Sequence, residues 1–310
     1  MFRKGSFLIP SFLLLAAGGL LPARASAEVN VVTTVPALAD LVRQVGGSHV
    51  SVRSLAPSNQ DPHYVDARPS FVLALHRADL LVYVGMGLEA GWLPSLLADA
   101  RNADIQPGRP GHLDASTVCG PILGRPDGRV DRSRGDIHPG GNPHYLLDPH
   151  YGLRVADAIA QRLAMLDSEH AQAYRDAYAA FAGRLRRRIA AWERVMAPYR
   201  GRPIVGYHES LVYLTHWLGL KEAGFVEPLP GISPSPRHLA RLILSMRRQH
   251  VGVLLSEPWY DMETARTVAA KSGAKLVRLP GGVGSPGIGD YEAYIDAVVR
   301  GLAEAFGGSA

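Results

Sequence analysis

The sequence predicts an α/β protein of two lobes, each a mainly parallel sheet flanked by helices, joined by a single long backbone helix. Three observations carry that expectation. Short apolar, β-rich runs alternate with helical patterns in both halves of the chain, the order that builds parallel sheets covered on both faces. The alternation is interrupted from residue 151 to 196 by a helical pattern broken only at Leu166-Asp167-Ser168-Glu169. About 280 residues beyond an N-terminal apolar segment suit two lobes of ordinary size better than one.

In order, residues 29–35 read as a strand, 37–45 as a helix and 50–56 as a second strand. Pro69-Ser70 opens a helix running to His76, because proline at a helix start gives up only a donor that would be unsatisfied anyway. Residues 80–84 form a buried strand. Residues 105–143 are rich in glycine and proline with little hydrophobic periodicity, and read as one long loop containing His112 and His138. Ser168 is placed to cap a helix over 168–197, which Pro198 follows. Such a helix covers on the order of 45 Å at 1.5 Å per residue. Strands at 203–207, 223–227, 251–256 and 275–279 then alternate with helices at 209–218, 236–249, 262–272 and 290–306. The expected organisation is a signal segment at 1–27, an N-terminal lobe at 28–165, a linking helix at 166–198 and a C-terminal lobe at 199–310.

The first 27 residues have the form of a cleavable secretory signal. Arg3 and Lys4 precede an apolar stretch to Leu21, and Ala25-Ser26-Ala27 offers a small-x-small cleavage pattern. No cysteine stands at that point, so no lipid-anchored form is expected, and the protein is expected in the periplasm. Three of the 33 basic residues and none of the 28 acidic ones leave with the signal, so a net charge of +5 falls to +2. That balance gives little pull on nucleic acid, and the run Arg184, Arg186-Arg187-Arg188 reads as the solvated face of a helix. Cys119 is the single cysteine, which excludes an intramolecular disulfide framework.

Three histidines sit in constrained settings: Asp61-Pro62-His63, Asn142-Pro143-His144 and Gly206-Tyr207-His208. Proline fixes its own φ and extends its predecessor, so the imidazole that follows is held at a defined angle. Neutral imidazole suits zinc, and three such ligands with one further donor complete a tetrahedral site. Of the other histidines, His76, His170, His216, His238 and His250 fall in or beside helical patterns. His138, six residues before His144, is either an auxiliary ligand or a solvated loop residue. Catalytic patterns fare worse. His208-Glu209 starts like a zinc-protease helix, but Val212 occupies the place of its second histidine. Gly85-Met86-Gly87-Leu88-Glu89-Ala90 matches a relaxed dinucleotide fingerprint and reads instead as a tight strand–helix turn.

These residues, together with Arg68-Pro69-Ser70, Leu147-Asp148-Pro149, Tyr207-His208-Glu209-Ser210, Glu227-Pro228, Pro234-Ser235-Pro236-Arg237-His238 and Ser256-Glu257-Pro258, span nearly the whole mature chain. In that order they resemble the solute-binding proteins of bacterial zinc and manganese ABC transporters. The resemblance implies a metal held between the lobes, with His63 and His144 from the first and His208 from the second. It also implies delivery to an inner-membrane permease by a monomer that performs no chemistry. Many members place an Asp after the strand that here ends at Leu279, where this chain has Pro280-Gly281-Gly282. Glu257, a water or a loop group would then fill the fourth position, and Glu257 is favoured because it ends a strand, where ligand-facing residues gather. Three imidazoles with at most one carboxylate suit Zn2+ better than Mn2+. Asp66, Asp148 and Glu209 are either partners for the imidazoles or ordinary loop and helix-cap carboxylates. The alternative from a different class is an exported zinc-dependent hydrolase using the same histidines, with Glu209 or Glu257 as base.

Overall fold

The computed structural model describes residues 28–126, 135 and 137–308, so the signal segment and part of the long loop lie outside it. In the first lobe β1 (Val29–Thr33) is central, β2 (Val50–Ser54) and β3 (Leu80–Tyr83) flank it, and β4 (His112–Asp114) lies outside β3. All three pairings are parallel, with Val31 opposite both Val52 and Leu80. The second lobe repeats the plan with β5 (Pro203–Gly206) central, β6 (Lys221–Phe225) and β7 (Val253–Ser256) beside it, and β8 (Lys275–Arg278) outside β7. Its pairings are also parallel. In each sheet the chain steps to one side of the central strand and then crosses to the other. That reversal opens a crevice at the carboxyl ends of β1/β3 and of β5/β7.

Strand alternation assigns each sheet two cores. Val29, Val31, Leu80 and Val82 face a large core that also receives Ile204, Val253 and Leu255 from the second sheet. Their neighbours Val32 and Leu81 face a smaller core with Phe71, Leu75, Leu93 and Leu97 from α2 (Pro69–His76) and α3 (Leu93–Ala100). Val205 and Leu254 do the same on the far side of the second lobe, against Leu242 and Met246 of α7 (Pro236–Arg248) and Ala265 and Val268 of α8 (Met262–Ser272). Consecutive apolar residues, as at Leu80-Leu81-Val82 and Val253-Leu254-Leu255, are what a sheet covered on both faces demands.

The shared core is filled by α1 (Pro36–Gly46), α4 (Pro149–Leu166), α5 (Ala171–Met196), α6 (Val212–Leu218) and α9 (Tyr291–Ala305). Two contacts pin the C-terminal helix to the first lobe: Tyr291 donates its backbone N–H to Asp40 and its hydroxyl to the carbonyl of Leu146. A continuous apolar core with such ties resists wide hinge opening.

The structure corrects several expectations. Ser168 does not cap α5; it lies in a 3-10 turn, and Asp167 accepts bonds from His170 and the Tyr174 hydroxyl beside it. The arginine run is only partly a solvated face, since Arg184 pairs with Glu292 at 3.6 Å and Arg188 with Asp296 at 3.1 Å on α9. The loop read as structureless contains β4, and α3 precedes it. The turn expected at Gly85-Met86-Gly87 is present: all three have positive φ (81°, 53° and 89°). Buried Glu89 closes it by accepting from the Val84 and Gly85 N–H groups and the Thr34 hydroxyl.

Candidate metal centre

Three loops bring His63, His144 and His208 together where the two crevices face each other. His63 follows β2, His144 precedes α4, and His208 stands two residues past β5. Their ring centroids form a nearly equilateral triangle of 5.3, 5.4 and 5.5 Å, with rings inclined at 54°, 68° and 83°. One nitrogen from each ring lies within 4.8 Å of the others, the only such cluster of His, Cys, Asp or Glu donors among the described residues. A tetrahedral zinc with Zn–N bonds of about 2.0–2.1 Å would set donors about 3.3 Å apart. Side-chain adjustments on the order of 1 Å would close the triangle on an ion.

Local bonds fix each ring. Asp61 Oδ1 accepts from the His63 backbone N–H at 3.0 Å and lies 2.7 Å from Nδ1, so that proline-linked turn and the ring angle are set by one carboxylate oxygen. Asn142 Oδ1 accepts from the His144 backbone N–H at 3.0 Å in the same way, while its amide donates across the lobes to the carbonyl of Glu209. Glu227 holds His208 by Nδ1 at 2.8 Å and is itself held by the Gly231 N–H at 3.1 Å. Tyr260 stacks on His208 at 5.5 Å. With Nδ1–H donated to a carboxylate, Nε2 of His63 and of His208 carries the lone pair that a metal takes.

His144 gives the most direct sign of what the site would hold. Part of the residue reaches solvent, yet its Nε2 is sealed from water and has no hydrogen-bond partner. A buried polar atom left unpaired costs free energy, and an incoming cation would satisfy it. Burial first, then the neighbouring imidazoles His63, His208 and His138, hold the His144 pKa well below the usual histidine range. Burial acts in the same sense on His208, but the hydrogen bond and charge of Glu227, with Glu257 and Asp61, overcome it and raise that pKa. The centre therefore combines an imidazole kept neutral with one biased toward protonation.

The remaining candidates divide. Glu257 is buried at the end of β7, accepts a short hydrogen bond from the Ser210 hydroxyl and lines a cavity with His63 and His144, but stands outside the three-imidazole cluster. Burial pushes its carboxyl pKa up. His138 comes within 3.2 Å of His63, Nε2 to Nε2. Of the two roles open to Asp66, Asp148 and Glu209, the structure shows the ordinary one: Asp66 is exposed, Asp148 caps α4 and bonds His150, and Glu209 meets the site through its backbone carbonyl. Asp61 and Glu227 are the partners of the imidazoles. Both stood in sequence beside prolines in the motifs quoted above. His112 is tied to Tyr83 and the carbonyl of Ile105, away from the centre.

The family model of the periplasmic zinc-uptake complex component A matches residues 31–305. Among curated relatives, the high-affinity zinc uptake protein ZnuA of Paracoccus denitrificans is 29% identical over 342 aligned positions, covering 96% of this chain and 98% of that one. The manganese ABC transporter substrate-binding lipoprotein PsaA of Streptococcus pneumoniae is 25% identical, covering 84% and 82%. A crystal structure of ZnuA superposes with a TM-score of 0.76 at 25% identity, over 90% of this chain and 99% of that one. A family match across nearly the whole described chain, on a fold that converges three imidazoles between its lobes, makes this chain a member of the component A family of metal-binding, non-enzymatic substrate-binding proteins of ABC transporters, which act outside the cytoplasm with a permease.

Proposed function

We propose that this protein captures Zn2+ with high affinity in the periplasm, between its lobes, and hands it to an inner-membrane ABC permease. His63, His144 and His208 are its ligands, each through Nε2. The observation that carries the reading is the sealed, partnerless Nε2 of His144 facing two imidazoles whose Nδ1 atoms are already committed to carboxylates. Glu257, buried beside the site, joins the donors only by exchanging its bond to Ser210. Nitrogen donors favour zinc over manganese, whose sites take more oxygen. The relatives' names include one zinc and one manganese protein, so the preference for zinc rests on the donor set. The shared core supports a mechanism of small lobe adjustments in place of wide closure.

Metal analysis and competition calorimetry on the mature protein test this reading. One tightly held Zn2+ that Mn2+ does not displace is expected; stoichiometric binding that survives removal of all three histidines would refute the ligand set, and preference for Mn2+ would refute the metal.

A further inference from the structure

The outward face of α7 carries charge that the fold leaves unused. At 3.6 residues per turn, Arg237, Arg241, Leu244 and Arg248 fall within about 60° of one another and span about 16 Å along the helix. All four are exposed, Leu244 by 57%. The opposite face sets Leu242 and Met246 in the core of the second lobe, which fixes the stripe toward solvent. α7 contains no acidic residue. Several arginines on other helices have carboxylate partners: Arg184 meets Glu292, Arg188 and Arg300 meet Asp296, and Arg266 meets Glu263. Arg237, Arg241 and Arg248 have none among the described residues. The carboxylates on the elements packed against α7 face other neighbours. Asp261 caps α8, Glu263 takes Arg266, and Glu222 on β6 stands beside Glu209. Arg247 donates to the carbonyl of Lys271, so exposed Lys271 at the end of α8 extends the positive surface.

We propose that this face adsorbs, without inserting, to a membrane surface bearing anionic phospholipid headgroups. Guanidinium pairs with phosphate oxygens through two parallel hydrogen bonds, and its long stem lets charges on a convex ridge reach a common plane. A plane of many phosphates meets all three arginines at once, whereas a single small anion cannot bridge the ends of the stripe. Leu244 is the only large apolar side chain on that face, and the helix's own apolar side is already committed to the core, so the helix does not enter the acyl chains. The family acts outside the cytoplasm with a permease, and adsorption holds the protein on the surface where that permease lies. The proposal is independent of the metal carried.

Co-sedimentation of the mature protein with sucrose-loaded vesicles tests this, comparing phosphatidylcholine alone with phosphatidylcholine–phosphatidylglycerol mixtures. Adsorption to the phosphatidylglycerol vesicles alone is expected at roughly 0.05 M salt, and its loss at roughly 0.5 M, where screening shortens the reach of each charge. Arg237→Gln, Arg241→Gln and Arg248→Gln should each lower partitioning about fivefold, and the triple variant about 100-fold. Zinc affinity and the thermal midpoint should stay unchanged in all of them. Arg53→Gln/Arg77→Gln/Arg109→Gln removes the same net charge from exposed positions of the first lobe and should cost less than about fivefold. No adsorption to phosphatidylglycerol, equal adsorption to phosphatidylcholine, or equal loss in the two triple variants overturns the proposal and leaves the zinc reading standing. Arginine-dependent retention on permease-bearing discs of neutral lipid, without adsorption to phosphatidylglycerol, also overturns it and assigns the stripe to a protein surface.

Discussion

Asp61-Pro62-His63 and Asp148-Pro149-His150 are the same three residue types with almost the same local geometry and different fates. In each, one carboxylate oxygen accepts from the histidine backbone N–H, at 3.0 and 2.9 Å, and meets Nδ1, at 2.7 and 2.8 Å. His63 has a side chain only 5% exposed, with Nε2 turned toward other imidazoles; His150 is 46% exposed at the start of α4, with Nε2 3.9 Å from Glu193. The tripeptide orients a ring and selects its tautomer. Whether that ring becomes a ligand is decided by the crevice into which the fold places it. At His150 the same carboxylate serves as a helix cap.

The largest predicted contrast is between the two histidines themselves. His63→Ala should lower zinc affinity by more than the roughly 100-fold that marks the upper range for outer partners, whereas His150→Ala should leave it unchanged in equilibrium dialysis. Zinc loss in both would show that the motif, not its placement, makes the ligand. Next come the carboxylates. Asp61→Ala should cost roughly 10–100-fold in zinc affinity by freeing the ring. Asp148→Ala should leave zinc binding intact and remove about 1 kcal/mol of stability with the cap of α4, read by denaturant unfolding.

Acidity sharpens the contrast further. Protons compete with metal for Nε2. His208, its pKa raised with Glu227 as the leading favourable partner, should take up its proton first as pH falls, while His144 stays neutral. Affinity is therefore full above the raised His208 range and declines as pH drops through it. Glu227→Gln removes the cause, so its calorimetric pH profile should decline at lower pH, from a weaker starting affinity. A profile that moves upward would contradict the assignment. The smallest effect is on the metal-free protein: His144→Leu should raise its stability by about 1 kcal/mol, because an unpaired buried nitrogen is replaced by apolar surface. The same variant should lose the metal.

Much of the fold was legible because local signals and burial agree. Proline starts and a Ser-Gly end mark Pro69–His76 and Met262–Ser272 in the sequence, and the helices run over those residues. β4 was hidden because it is a three-residue edge strand inside a glycine- and proline-rich stretch, too short to show a period. α3 was missed although it is as long as α2 and carries the same early proline. His63 and His144 could be singled out from the proline before each, and His208 from the apolar run Pro203-Ile204-Val205 that leads to it. Their partners could not be separated by sequence distance, since Asp61 sits two residues from His63 and Glu227 nineteen from His208. Asp148, adjacent in sequence to the site's loop, carries the same motif as Asp61 and is engaged elsewhere. The sequence favours a solvated loop residue over a ligand at His138, and its approach to His63 depends on where the long loop returns, which composition does not encode.

The most direct test of the three-imidazole centre is NMR of ring nitrogens in protein labelled with 15N histidine and titrated with 113Cd2+ as a spin-active substitute for zinc. At one equivalent, metal–nitrogen couplings should appear on Nε2 of His63, His144 and His208, with Nδ1 of His63 and His208 remaining protonated. Coupling to fewer than three of these rings, or through Nδ1 of His63 or His208, would contradict the account.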